Sequence, residues 1–274
     1  MKFEAKRYSY GESPLQVADL RLPQGGGGPY PVAISVHGGF WKNKVPLDIM
    51  NPLADDLTAR GLATWNIEYR RVGDEGGGWP GLFHDVSNAT DYLREIASEH
   101  NLDLSRVVVV GHSAGGHLGL WLAARHLLPA DSELRTTDNP LSIKSVVSLA
   151  GVCDFNLMQA THRMRIDEMR GAVSDNPVYD LMEGSPLERP ERYAQASPIQ
   201  LLSILSEQIL IHGACDLNVP IGISQNYYNA AVIAGADVEL IEIQNAEHFK
   251  VINPKSDCWP IIAKAVLRAA SADR

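Results

Sequence analysis

The sequence predicts a single α/β domain over residues 1–274, built on a mostly parallel, doubly wound sheet of about eight strands with helices on both faces. Three observations carry this expectation. Short apolar, β-branched runs alternate along the chain with stretches of three- and four-residue apolar spacing, the signature of strands joined by covering helices. A glycine-rich junction around Ser113 joins one of those runs directly to a helix-like stretch. The length of 274 residues suits one large core better than two equal domains.

The elements follow in order. Phe3 to Tyr8 and Val17 to Leu22 read as an antiparallel start, followed by Pro23 and the glycine run Gly25 to Gly28, a surface turn. Val32 to Val36, Ala63 to Tyr69 and Val107 to Val110 read as parallel strands. Asn51 to Arg60 and Val86 to His100 read as the helices between them, the second on Val86, Ala89, Leu93, Ile96 and Ala97. Ala114 to His126 continues as a helix. Val146 to Ala150, Gln208 to His212 and Val238 to Ile243 complete the strands, with helices at Ile223 to Ala234 and Trp259 to Ala270. Gly76-Gly77-Gly78 lacks the following Lys-Ser/Thr of a phosphate cradle and reads as a loop. Residues 152–207 break the rhythm, punctuated by Pro177, Pro186, Pro190 and Pro198, and read as a small lid insertion with a short helix around Thr161 to Arg170.

Composition narrows the function. A net charge of −9, with lysine and arginine scattered, gives no electrostatic basis for nucleic-acid binding. No apolar run approaches the roughly 20 residues of a membrane span, so no membrane partner is expected. The charged start, Met1 to Arg7, lacks an apolar signal core, and cytoplasmic residence is the expectation. Cys153, Cys215 and Cys258 lie far apart and read as reduced thiols, Cys215 as a small buried hydrophobe. A small-molecule substrate is expected, on a monomer or homodimer, with no cofactor.

The chemistry centres on Gly111-His112-Ser113-Ala114-Gly115, a G-x-S-x-G placed between strand and helix. That pattern turns the chain so sharply that the serine hydroxyl stands clear at the sheet's end. A serine hydroxyl near neutrality needs an imidazole to take its proton and an acid to orient that imidazole. Asp216 follows the run Ile209 to Gly213, and His248 follows Val238 to Ile243 by a short loop, giving the order Ser, Asp, His. Asp154, after Val146 to Ala150, is a rival acid whose plainer role is a helix cap, and Glu247 is expected in solvent. His112 and His117 flank the serine without a carboxylate or cysteine at ligand spacing, so no metal site is expected. The loop His37-Gly38-Gly39-Phe40-Trp41 and the amide of Ala114 are positioned to hold the oxyanion of a tetrahedral intermediate, with His37 as a loop-ordering hydrogen bonder. Trp41 and Phe40 are candidates for an acyl or aromatic subsite, Trp41 equally for scaffold packing, and His112 is a further substrate-binding candidate.

Taken together, H-G-G-F-W, G-H-S-A-G-G-H, the D-x-x-V-P of Asp216 to Pro220 and Glu247-His248-Phe249 resemble the α/β-hydrolase superfamily. The likeness lies near the hormone-sensitive-lipase-like esterases and the kynurenine formamidase (arylformamidase) group, and covers the chain from about Val32 onward. It departs from H-G-G-G in having Phe40-Trp41. The resemblance implies Ser113 as nucleophile, Asp216 and His248 as its partners, and Gly39, Phe40 and Ala114 as oxyanion donors. It implies a metal-independent carboxylesterase working through an acyl-enzyme. Arylformamidase activity on N-formylkynurenine is the alternative, and a non-catalytic small-molecule binder on the same scaffold the second alternative.

Overall fold

A computed structural model describes residues 2–168 and 175–271. Its eight strands are β1 (Lys6–Ser9), β2 (Val17–Arg21), β3 (Tyr30–Val36), β4 (Ala63–Ile67), β5 (Leu102–His112), β6 (Ser145–Leu149), β7 (Glu207–Gly213) and β8 (Val238–Ile243). They form one sheet in the order β1-β2-β4-β3-β5-β6-β7-β8, antiparallel at β1-β2 and β2-β4 and parallel from β4 to β8.

Alternation along the central strands splits the core into two layers. Ile34, Val36, Val107 and Val109 face one side, packing with Phe83, Leu118 and Trp121. Ala33, Val108 and Val110 face the other, with Leu53, Leu57, Ile262 and Val266. A strand covered on both faces is apolar at every position, which is why these runs look continuous in the sequence. The covering helices are α1 (Asn51–Ala59), α2 (Gly81–Asp91), α3 (Leu93–Ile96) and α4 (Ala114–Ala124). Three follow β6, namely α5 (Phe155–Glu168), α6 (Pro177–Met182) and α7 (Pro190–Ala196), and the last two are α8 (Gly222–Ile233) and α9 (Trp259–Ala269).

Several expectations are corrected. The helix expected to begin at Val86 begins at Gly81, directly after Pro80, and the chain breaks at Tyr92 before the short α3. Proline fits there because the first turn of a helix has no acceptor for its N–H. Among its described residues, segment 152–207 holds three α-helices where one short helix was expected. The expected helix at Thr161 starts six residues earlier, at Phe155, and the last two residues of that expectation, 169 and 170, lie outside the described residues. The insertion is anchored on α4: His117 Nε2–H donates to Ala196 O at 2.9 Å and the Trp121 indole N–H to Gln195 O at 3.0 Å.

Candidate active site

Parallel register brings the site together at the C-terminal edge of the sheet. Val36 on β3 lies opposite Gly111 on β5, and His112 opposite Leu149 on β6, so the loops leaving these strands meet over one spot. Ser113 sits between β5 and α4 at φ 56° and ψ −118°, a conformation that costs a non-glycine residue about 1–3 kcal/mol and persists only under tight constraint. Two glycines supply the constraint. A Cβ on Gly111 would come 2.0 Å from Gly115 O, and one on Gly115 2.0 Å from Val36 O, so the turn closes only with hydrogen at both positions. Ser113 N–H donates to Leu149 O at 2.8 Å, tying the turn to β6.

Asp216 and His248 converge. The turn after β7 points the Asp216 carboxylate inward, where Oδ2 accepts the His248 Nδ1–H at 2.6 Å. Oδ1 accepts the N–H groups of Asn218 at 2.8 Å and Val219 at 2.9 Å. Burial works against this charge, but the hydrogen bonds from His212, His248 and Val219 outweigh it and hold the carboxyl well below the usual carboxylate range. With Nδ1 donating to the carboxylate, the lone pair of neutral His248 is on Nε2. Ser113, His112 and His248 line one cavity of about 280 Å³ with Gly38, Gly39, Phe40, Val45, Ile49 and Phe249. No hydrogen bond joins Ser113 Oγ to His248 among the described residues.

The loop after β3 carries three successive residues with left-handed backbone: Gly39 at φ 112°, Phe40 at 52° and Trp41 at 57°. The N–H groups of Gly39 and Phe40 donate to no backbone acceptor among the described residues. His37 orders the loop from beneath, with Nε2 2.9 Å from Glu68 Oε1 and its ring stacked on Tyr69. Glu68 also accepts the Leu47 and Tyr69 N–H groups, at 2.9 and 3.0 Å, so one buried carboxylate binds three segments.

Trp41 is the correction here. It does not line the cavity but is fully buried, stacking edge-on against Phe155 and His117, and its indole N–H donates to His117 Nδ1 at 3.1 Å. Phe40 does line the cavity. His112 lines it too, yet its Nε2–H is engaged with His248 O at 2.9 Å. Burial, and then the neighbouring His248 charge, push the His112 pKa down to about 3. Cys215, expected to be buried, is exposed, because the turn that sends Asp216 inward sends its neighbour outward; Cys153 and Cys258 are buried. Asp154 caps α5, accepting the Leu157 N–H at 3.0 Å and the Asn226 amide at 2.8 Å, and Glu247 accepts the Phe249 N–H at 2.9 Å.

One residue escaped the sequence reading. His212, fully buried on β7, places Nε2 2.9 Å from Val219 O and 3.3 Å from Asp216 Oδ2, and Nδ1 2.7 Å from Ser224 Oγ. The available signal was its position four residues before the acid, which an apolar strand pattern masked.

Relatives agree with the fold. The chain is similar to esterase LipC of Mycobacterium tuberculosis, 26% identical over 246 residues, covering 89% of this chain and 59% of LipC. It is similar to the kynurenine formamidase of Danio rerio, 22% identical over 269 residues, covering 94% of this chain and 79% of that protein. The chain spans about half to three-fifths of the length of the first esterase relatives it matches. A solved carbohydrate esterase from gut microbiota superposes with a TM-score of 0.81 at 20% identity, covering 98% of this chain and 97% of the other, which shows the expected α/β-hydrolase fold. No helix among the described residues is long and apolar enough to cross a membrane. Since the BD-FAE family model matches residues 18–230, across both strained turns and the Asp216 turn, the chain belongs to the BD-FAE family of α/β-hydrolases.

Proposed function

We propose that this chain is a serine carboxylesterase acting on small esters through an acyl-enzyme. The observation that carries the reading is the Asp216–His248 pair, 2.6 Å apart, opening on the same cavity as Ser113. In this mechanism His248 Nε2 takes the Ser113 proton as Oγ attacks the carbonyl carbon. The N–H groups of Gly39, Phe40 and Ala114 receive the oxyanion, and the proton passes from His248 to the leaving alcohol. Water, deprotonated by His248, then attacks the acyl carbon, and Ser113 leaves with the proton restored. Contact between hydroxyl and imidazole is often long in free hydrolases and tightens when substrate binds.

The cavity, about 280 Å³ with Phe40, Val45, Ile49 and Phe249 as its apolar walls, lies below the usual span of drug-sized sites and fits a short acyl group. Segment 152–207 serves as the lid in this reading, supported by the pairing of Lys42 beside the cavity with Asp175 and with Asp180, the latter at 2.8 Å. Three free thiols are in keeping with a cytoplasmic enzyme. A second reading, arylformamidase, is favoured by the kynurenine formamidase match.

The test compares wild type with Ser113→Ala on p-nitrophenyl acetate, p-nitrophenyl butyrate and N-formylkynurenine. The variant is expected to lose about 10⁴-fold in kcat with its fold intact, and a phosphonate ester to label wild type alone. Retained turnover or labelling of the variant rejects Ser113 as the nucleophile. A preference of about 100-fold in kcat/KM for the formyl substrate, about 2.7 kcal/mol, moves the assignment to formamidase.

A further inference from the structure

Four polar contacts converge on the Asp216 carboxylate: two backbone amides, the His248 imidazole, and a second imidazole from His212. Oδ1 is filled by the Asn218 and Val219 amides, at 2.8 and 2.9 Å. Oδ2 lies 2.6 Å from His248 Nδ1 and 3.3 Å from His212 Nε2. His212 Nε2 thus faces two oxygens that only accept, the Asp216 carboxylate and the Val219 carbonyl at 2.9 Å, so this nitrogen carries a proton. Nδ1 faces the Ser224 hydroxyl at the start of α8, 2.7 Å away, which is able to donate to it. The ring is held at both ends, between the strand that leads into the acid turn and the helix that follows it.

We propose that His212 is a positioning residue: its Nε2–H bridges Asp216 Oδ2 and Val219 O, fixing the carboxylate toward His248 and drawing off part of its negative charge. The proposal rests on the reading of Asp216 and His248 as partners of Ser113. The titratable groups facing this pair are His212 from β7 and His112 from the end of β5, with the Cys153 thiol one step further off, beside Ser224. The two neighbours other than His212 are silent near neutrality. Burial pushes the Cys153 thiol up to about 12 and the His112 imidazole down to about 3.

Without the His212 donor the carboxylate keeps a fuller charge and holds the His248 imidazolium more firmly, so the acid limb of the kcat/KM profile moves to higher pH. Glutamine spans the same number of bonds from Cβ to its Nε2 as histidine, so His212→Gln restores a donor where His212→Leu removes it. For the ester hydrolysed above, His212→Leu is expected to raise the acid limb by about one pH unit and lower kcat by roughly tenfold with a smaller change in KM. His212→Gln is expected to return the limb toward wild type. A Leu variant that titrates with wild type, or a Gln variant that matches Leu, overturns the proposal.

Should the Leu variant fail to fold, ¹⁵N-histidine NMR of the unaltered protein decides instead. His212 must carry its proton on Nε2, and a ring found with the proton on Nδ1 alone overturns the bridge. Phosphonate labelling of Ser113 is read separately. If labelling fails, the hydrolase reading falls; if labelling succeeds and the pH profile does not move, only the role of His212 falls.

Discussion

Individual residues at this site are fixed by conformations that few other side chains tolerate. Gly39 has φ 112°, and a Cβ there would come 2.8 Å from Val45 Cβ, so Gly39→Ala is both strained and crowded. The loop must shift, carrying the Gly39 and Phe40 amides away from the oxyanion. Loss of one such donor costs about 10²–10³ in kcat, and that drop is expected on p-nitrophenyl acetate, with KM little changed. A Gly39→Ala enzyme at full kcat would mean that these amides do not receive the charge. The residues whose chemistry is unusual, namely a serine between glycines, an acid after a strand and a histidine after the next, were legible in the sequence. His212 was not, because a histidine inside an apolar strand looks like filler until its ring nitrogens find partners. Trp41 was misplaced for the opposite reason. Its neighbour in sequence, Phe40, lines the cavity, but the left-handed backbone at 41 turns the indole into the core.

At the scale of elements, the central strands were readable because burial on both faces makes them apolar throughout, while the edges shifted where tertiary contacts decide. β4 ends at Ile67, two residues short of the expected Tyr69; Glu68 keeps its N–H on Val17 O, while its carboxylate binds His37 at the base of the oxyanion loop. In segment 152–207 the prolines looked like breaks, yet Pro177 opens α6 and Pro190 opens α7, each in the first turn, where a missing N–H costs nothing. α5 presents only Phe155, Met158 and His162 as buried positions, a stripe too thin to mark its full length. One contact that joins this insertion to the catalytic loops is the relay from Trp41 to His117 to the Ala196 carbonyl on α7. Trp41→Phe keeps most of the ring and deletes the indole donor to the buried His117 Nδ1, at about 1–3 kcal/mol. Thermal unfolding is expected to drop accordingly, while KM for a short ester moves less than about twofold because the indole does not line the cavity. A large change in KM with unchanged stability would return Trp41 to the substrate subsite.

Across the whole molecule, the same buried imidazoles tie stability to pH. His112 joins the end of β5 to the His248 loop and His117 joins α4 to the insertion; burial, the largest cause in both, pushes each pKa down to about 3. In the unfolded chain both return to about 6.5. Between those values the unfolded state binds more protons than the folded one, so stability rises with pH through this window and falls as pH drops below about 6.5. One group contributes about 1.4 kcal/mol per pH unit, so at pH 5 the two together cost about 4 kcal/mol relative to neutral solution. His162, lowered by burial, and His100, lowered by the same cause, steepen the trend. Protonated His117 also loses its acceptor for the Trp41 indole, so acid unfolding is expected to start where the insertion meets the oxyanion loop. Urea titrations at pH 7, 6 and 5 are expected to show uptake of about two protons or more on unfolding. Replacing His117 by Gln, which has no proton to gain, is expected to flatten the slope by about one proton. A stability that stays level from pH 7 to 5 would show that these rings are not held neutral by the fold.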